Sequence, residues 1–308
     1  MTDTSVTTEQ AAASLVPGIF VSLLAHASWG MYPVLARYLQ TVSDLPTLSI
    51  LALGNVIPLV VLSRYLFGHL DLSVFRQPIV WIFAAIVVFR AITNMASTRF
   101  TLSIYVQLIT QATPFVVILI STVIFREQLP RYTIPAVTAA LAGSVMMIGP
   151  NFGNIPEDPT RQDWLGITLA MLSVISLGTY MVLVKRSMRS EVRSETLLMV
   201  QLIGIIVVTG MASFALGEDW GSYLRMGWTD RAVFLLFAFL VFIGANLWQI
   251  QAIRSLGASF HSSLLATRLI SSILFGWLLL GEQLTSLWQI AGAVVVGITI
   301  TWFLWQQR

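Results

Sequence analysis

Cysteine is absent from the 308 residues, which excludes disulfides, thiolate metal sites and cysteine nucleophiles. Charge is scarce as well. Asp, Glu, Lys and Arg make up 10% of the chain, against roughly 25% in a soluble domain, too little to cover a globular surface. The single lysine, Lys185, lies outside any G-x-x-x-x-G-K-[ST] pattern, so neither a P-loop nor ATP drive is expected. No H-E-x-x-H pattern offers a metal site, and nothing calls for a cofactor. Every Asp and Glu falls in a tail, a loop or at the end of an apolar run. No buried carboxylate is therefore expected to bind a cation or relay a proton. Residues 1–16 hold no Lys or Arg, unlike a secretory n-region or a transit peptide, and read as a short cytoplasmic tail. The net charge of +3 is scattered over short loops, so a nucleic-acid partner is not expected.

Hydrocarbon is what the chain has in abundance: 56% hydrophobic residues and a mean hydropathy of +0.82. Apolar runs of about 20 residues recur throughout, each long enough to cross ~30 Å of bilayer as a helix. Ten such spans are predicted, at 17–39, 46–67, 78–98, 102–125, 131–149, 164–184, 196–216, 232–253, 258–280 and 286–305. The reading is an all-α polytopic membrane protein in contact with lipid. Ten spans put both termini on one side with the even-numbered loops. Basic residues divide ten to five in favour of that side, and the positive-inside rule makes it the cytoplasm. The expected location is a bacterial inner membrane.

Internal symmetry organises the spans. Gly30 to Arg37 matches Gly178 to Lys185 at an offset of 148, and Glu127-Gln128-Leu129 matches Glu282-Gln283-Leu284 at 155. Each copy holds five spans, an odd number, so the second enters the membrane from the opposite side. The expected architecture is a 5+5 inverted repeat around a central cavity, with copies at 17–149 and 164–305 joined by a loop at 150–163. Inverted repeats support alternating access, because the halves can exchange conformations.

The Trp29-Gly30 pair in the first span, the Glu-x-Leu closing the fourth and ninth, and Pro114 ahead of Glu127 complete a pattern. It resembles EamA-type transporters of the drug/metabolite transporter superfamily, over roughly residues 17 to 305. Span nine departs from it, with Leu269 at the proline's equivalent place and Arg268 before it. The resemblance implies small-molecule transport and no particular substrate.

Two arginines, Arg90 and Arg268, fall near mid-membrane, where each costs about 2.5–3.5 kcal/mol on insertion scales. A structural role, bonded to helix-end carbonyls or to a neighbour such as Asn94, stands against a functional one. His261, Arg268 and Ser272 share one helical face, and Gln107 and Gln111 form a polar stripe ahead of Pro114. Under the repeat offset Asn94 pairs with Gln249. Spans three, four, eight and nine are expected to line the cavity. Candidate substrate-binding residues are Arg268, Arg90, Gln107, Gln111, Asn94, His261, Asn246, Gln249, Trp29 and Tyr180, while His26 also reads as a hydrogen-bonded core histidine. Small residues spaced by four in spans five and ten (Ala136 and Ala140, Ala139 and Gly143, Ala293 and Gly297) mark packing helices.

The leading expectation is a secondary transporter of a small organic metabolite, with the arginines favouring a carboxylate, phosphate or sulfonate. An exporter of neutral or zwitterionic amphipaths such as amino acids is the alternative. A membrane-embedded enzyme needs a nucleophile–base pair, and Ser259, Ser262 and Ser263, within two residues of His261, do not share its helical face.

Overall fold

Inside a bilayer every backbone amide must find its partner within the protein, so apolar runs of this length become helices. The computed structural model describes residues 4–68, 76–151, 161–187, 194–256, 260–261 and 264–306, with no strand among them. Eight helical spans are long and apolar enough to cross a membrane, and two shorter apolar helices, Thr133–Ile148 and Ala266–Leu280, bring the total to ten. The protein is an integral membrane protein. Most of the loop at 150–163 and Ser262 and Ser263 lie outside the described residues.

The first half comprises α1 (Thr4–Thr41), α2 (Thr47–Gly68), α3 (Pro78–Phe100), α4 (Ser103–Thr110), α5 (Thr113–Phe125) and α6 (Thr133–Ile148). The second comprises α7 (Asp163–Ser187), α8 (Ser194–Ala215), the one-turn α9 (Ser222–Arg225), α10 (Trp228–Leu236), a π-helical stretch (Phe237–Ala245), α11 (Asn246–Leu256), α12 (Ala266–Leu280) and α13 (Leu287–Gln306).

Two spans read as continuous are interrupted. Span four, expected as one helix over 102–125, turns at Gln111 and Ala112 between α4 and α5. Pro114 supplies the cause, since it offers no N–H to the Thr110 carbonyl and its ring crowds that oxygen. The Thr113 hydroxyl takes over, donating to Thr110 O at 2.6 Å. Span nine turns at Leu264 and Leu265 ahead of α12, where Thr267 N and Arg268 N each reach back only three residues. The Gln111 side chain links the two breaks, its Nε2 donating to Leu265 O at 3.1 Å. Broken helices in corresponding spans of two repeats place backbone polar groups at membrane depth, where transporters of this build bind substrate. Span eight bears a different irregularity. Its middle is π-helical, and it runs from Trp228 to Leu256 rather than over 232–253.

Packing across the halves follows the repeat. A Cβ on Gly30 would lie 2.8 Å from Ser271 Cβ on α12, and one on its repeat mate Gly178 would lie 2.7 Å from Val116 Cγ1 on α5. Ser271 and Val116 are themselves repeat mates at the 155 offset, so α1–α12 and α7–α5 are one contact made twice. Spans five and ten form a separate pair, in which Gly143 and Gly292 let the backbones of α6 and α13 touch.

One expectation about charge needs correction. Glu282 is a buried carboxylate, 7% exposed, although it sits at a helix end as expected. That end is itself inside the bundle, where the carboxylate meets Arg37 Nε at 3.1 Å and accepts from Ser103 N, Ser103 Oγ and Ile104 N. An anion there satisfies the free amides of the α4 N-terminus. Arg37 in turn donates to the carbonyls of Thr98 and Thr101. Further ties join the same face: Thr101 Oγ1 to Asp163, Gln162 N to Phe100 O, Ser43 Oγ to Asp230, and Leu48 N and Ser49 N to Glu218. All five odd-numbered loops are thereby stitched together.

Candidate functional site

The centre of the site lies where α1 crosses α12. Gly30 makes the crossing possible, because a Cβ there would stand 2.3 Å from Arg268 O. At this distance the residues one turn to either side face each other. Arg268 Nε donates to His26 Nδ1 at 3.0 Å, and its guanidinium carbon lies 5.7 Å from the centroid of the Trp29 ring. Its Nη2 reaches Gln249 Oε1 on α11 at 3.5 Å, a weak contact. His26 stacks on His261 with ring centroids 4.2 Å apart and planes 15° from parallel. His261 Nδ1 is 2.7 Å from Ser22 Oγ.

Arg90 approaches from α3. It interacts electrostatically with Tyr32 and Tyr180, and also with Arg268. Two guanidinium groups on different helices, α3 and α12, thus lie near enough to act on each other electrostatically. Among the described residues no carboxylate is paired with either. Tyr180 packs its ring against Phe83 at 5.2 Å, and Asn94 faces Tyr32.

Six polar atoms of spans one, three, four and nine are buried without a hydrogen-bond partner in the protein: Trp29 Nε1, Arg90 Nε, Gln107 Nε2, Gln111 Oε1, His261 Nε2 and Ser272 Oγ. Burying one such group unpaired costs about 1–3 kcal/mol, and native proteins keep few of them. Three are obligate donors, Trp29 Nε1, Arg90 Nε and Gln107 Nε2. The arrangement is suited to holding a group rich in acceptor oxygens.

The structure thus brings together Arg268, His261, Trp29 and Gln249, draws in Gln111 through Leu265, and sets Arg90, Tyr180 and Asn94 alongside. Asn246 stands apart, its Nδ2 donating to Phe242 O on its own helix at 2.9 Å. Sequence reasoning missed Ser22 and the His26–His261 stack. Their separation of more than 230 residues leaves no local signal, although a histidine at membrane depth in each of two spans was a hint. No group of three His, Asp or Glu suited to a metal occurs among the described residues.

A cavity of about 440 Å³ opens elsewhere, between odd-numbered loops, lined by residues including Asp44, Arg99, Glu218, Asp219 and Asp230. Glu218 caps α2 there and Asp219 is paired with Arg225. That ion pair holds the Asp219 carboxyl below its ordinary range. None of the candidate residues lines this cavity.

No curated protein matches the chain. A solved structure titled only "Crystal structure of protein" is similar in fold, with a TM-score of 0.60 and 19% identity, covering 94% of this chain and 98% of the other. The model of the EamA-like transporter family matches twice, over residues 16–149 and 164–305. With the helical spans accounted for, the chain belongs to the EamA-like transporter family.

Proposed function

We propose that the protein carries a small organic anion, with a carboxylate, phosphate or sulfonate held between Arg268 and Arg90. The observation that supports this reading most strongly is the presence of two guanidinium groups with no carboxylate partner among the described residues, Arg268 lying over Trp29, whose buried Nε1 has no acceptor in the protein, as Arg90 Nε has none. An anion resolves both costs at once. In a site shielded from water, charge-assisted bonds to it are strong.

The same reading includes alternating access. The Arg37–Glu282 pair and the bonds around it tie the odd-loop ends of the helices together, and in this reading the site opens to the even-loop face, which we take as cytoplasmic in a bacterial inner membrane. The working parts are a tail at 1–16, a five-span copy at 17–149, a loop at 150–163 and a second copy at 164–305. The Ser22–His261 contact pairs a hydroxyl with an imidazole. Among the described residues no acid bonds to that imidazole, which supports a transporter over an enzyme. Gln111 Oε1, an unused acceptor, favours a second reading in which the anion also bears an amine or hydroxyl, as an amino acid does.

Uptake into proteoliposomes by a panel of anionic, zwitterionic and cationic metabolites tests the proposal. Transport confined to compounds with an anionic group is expected. Transport of cations or uncharged compounds alone would overturn it.

A further inference from the structure

His26 has both ring nitrogens committed, and their partners fix its protonation state. Nε2 lies 2.8 Å from the His261 carbonyl oxygen, which only accepts, so Nε2 carries the proton. Nδ1 lies 3.0 Å from Arg268 Nε, which only donates, so Nδ1 holds the lone pair. His26 is 1% exposed, which leaves no room for a second arrangement through solvent. A proton and Arg268 therefore compete for one lone pair.

We propose that His26 Nδ1 is the proton-binding site of this transporter, opened when a bound anion draws Arg268 away. This rests on the anion reading of the site. Two obstacles keep the proton off while the site is without anion: the Arg268 N–H points at Nδ1, and an imidazolium would stand beside a guanidinium. An anion removes both, because it gives Arg268 another acceptor and gives the imidazolium a countercharge. By linkage, the proton strengthens anion binding by the same factor.

The charged and titratable neighbours are few. Arg268 and His261 act on His26, Arg268 acts on His261, and Arg90 acts on Arg268. The π-helical stretch packed on α1 has no ionisable residue, and α11 offers only Arg254 near its far end. Asp230 of α10 is bonded to Ser43 at the other end of α1, Arg99 ends α3, and Tyr105 of α4 is engaged by Gln289. The buried carboxylate of Glu282 is committed to Arg37 and to the α4 amides, toward the other end of α1 from His26.

The step is a proton transfer without other bond changes. The Nε–H···Nδ1 hydrogen bond breaks, an Nδ1–H bond forms with a proton from a hydronium ion on the open side, which departs as water, and the freed arginine N–H turns to an anion oxygen. One anion and one proton then move together, so an inward proton gradient drives uptake.

Nitrogen NMR of the full chain in nanodiscs tests this, since the three histidines can be assigned by substitution. In the unaltered protein His26 is expected as the neutral Nε2–H tautomer, a measurement that needs no variant. In Arg268→Met the doubly protonated fraction of His26 at pH 5.5 is expected to rise at least tenfold. An Nδ1–H tautomer, or no rise in folded Arg268→Met, would overturn the proposal. Inorganic phosphate, succinate and methanesulfonate then serve as probes in weak buffer. Binding is expected to take up close to one proton per anion, and His26→Asn to abolish that uptake. An anion bound by Arg268 without proton uptake overturns the coupling and leaves the anion site standing. Failure of all three probes to bind, with the histidine results as expected, overturns the anion reading and leaves the competition for His26 standing.

Discussion

Arg37 and Glu282 meet at 3.1 Å where the ends of α1, α3, α4 and α12 converge, and each is also hydrogen-bonded to backbone at those ends. Removing one partner strands a buried charge, at a cost of about 3–5 kcal/mol. Glu282→Gln and Arg37→Met are each expected to lower thermal stability in detergent by that order. The double variant should cost clearly less than the two added together, since neither charge is then stranded. A double-mutant cycle on the purified protein reads the difference, and strict additivity would contradict the pairing.

Gly30 and Gly281 separate two uses of glycine. A methyl at Gly30 meets Arg268 O at 2.3 Å, and backbone cannot yield cheaply. Gly30→Ala should therefore displace α12, cost about 1–3 kcal/mol and weaken ligand binding. Gly281 has φ +67° with nothing within 4 Å. Gly281→Ala should cost about 1–2 kcal/mol of backbone strain and leave binding unchanged. Thermal shifts with and without ligand distinguish the two.

Much of this architecture was legible in the sequence, for reasons that also mark where legibility stopped. Ten apolar runs and the repeated Gly30 and Gly178 blocks are local patterns, and they specify spans and copies directly. Pro114 announced a disturbed helix, though not that Gln111 would bridge to a second break in span nine, where no proline signals one. Glu282 was correctly placed at a helix end. Its burial escaped notice because a helix end looks solvent-exposed until the ends of other helices are assembled around it. Arg268 stood out by its cost in the bilayer, while its bond to His26 arises only when α1 crosses α12. Asn246 shows a different limit, for a polar residue at the right depth can also bond to its own helix, as its Nδ2 does to Phe242 O.

Topology has its own test. The inverted repeat puts the loop after α6 and the loop after α7 on opposite sides of the membrane. Reporter fusions at residues 157 and 189 are expected to report opposite compartments, with 189 cytoplasmic. The same compartment for both would overturn the orientation of the second copy.

The central claim is that Arg268 holds an anion, and binding by Arg268→Ala protein tests it most directly. Monodisperse protein extracted in detergent is compared with the unaltered chain for binding of the anion that the transport panel identifies. The account expects the alanine variant to fold and lose binding, and Arg268→Lys to restore it only in part, because an ammonium lacks the bidentate fork. Full binding by folded Arg268→Ala protein would contradict it.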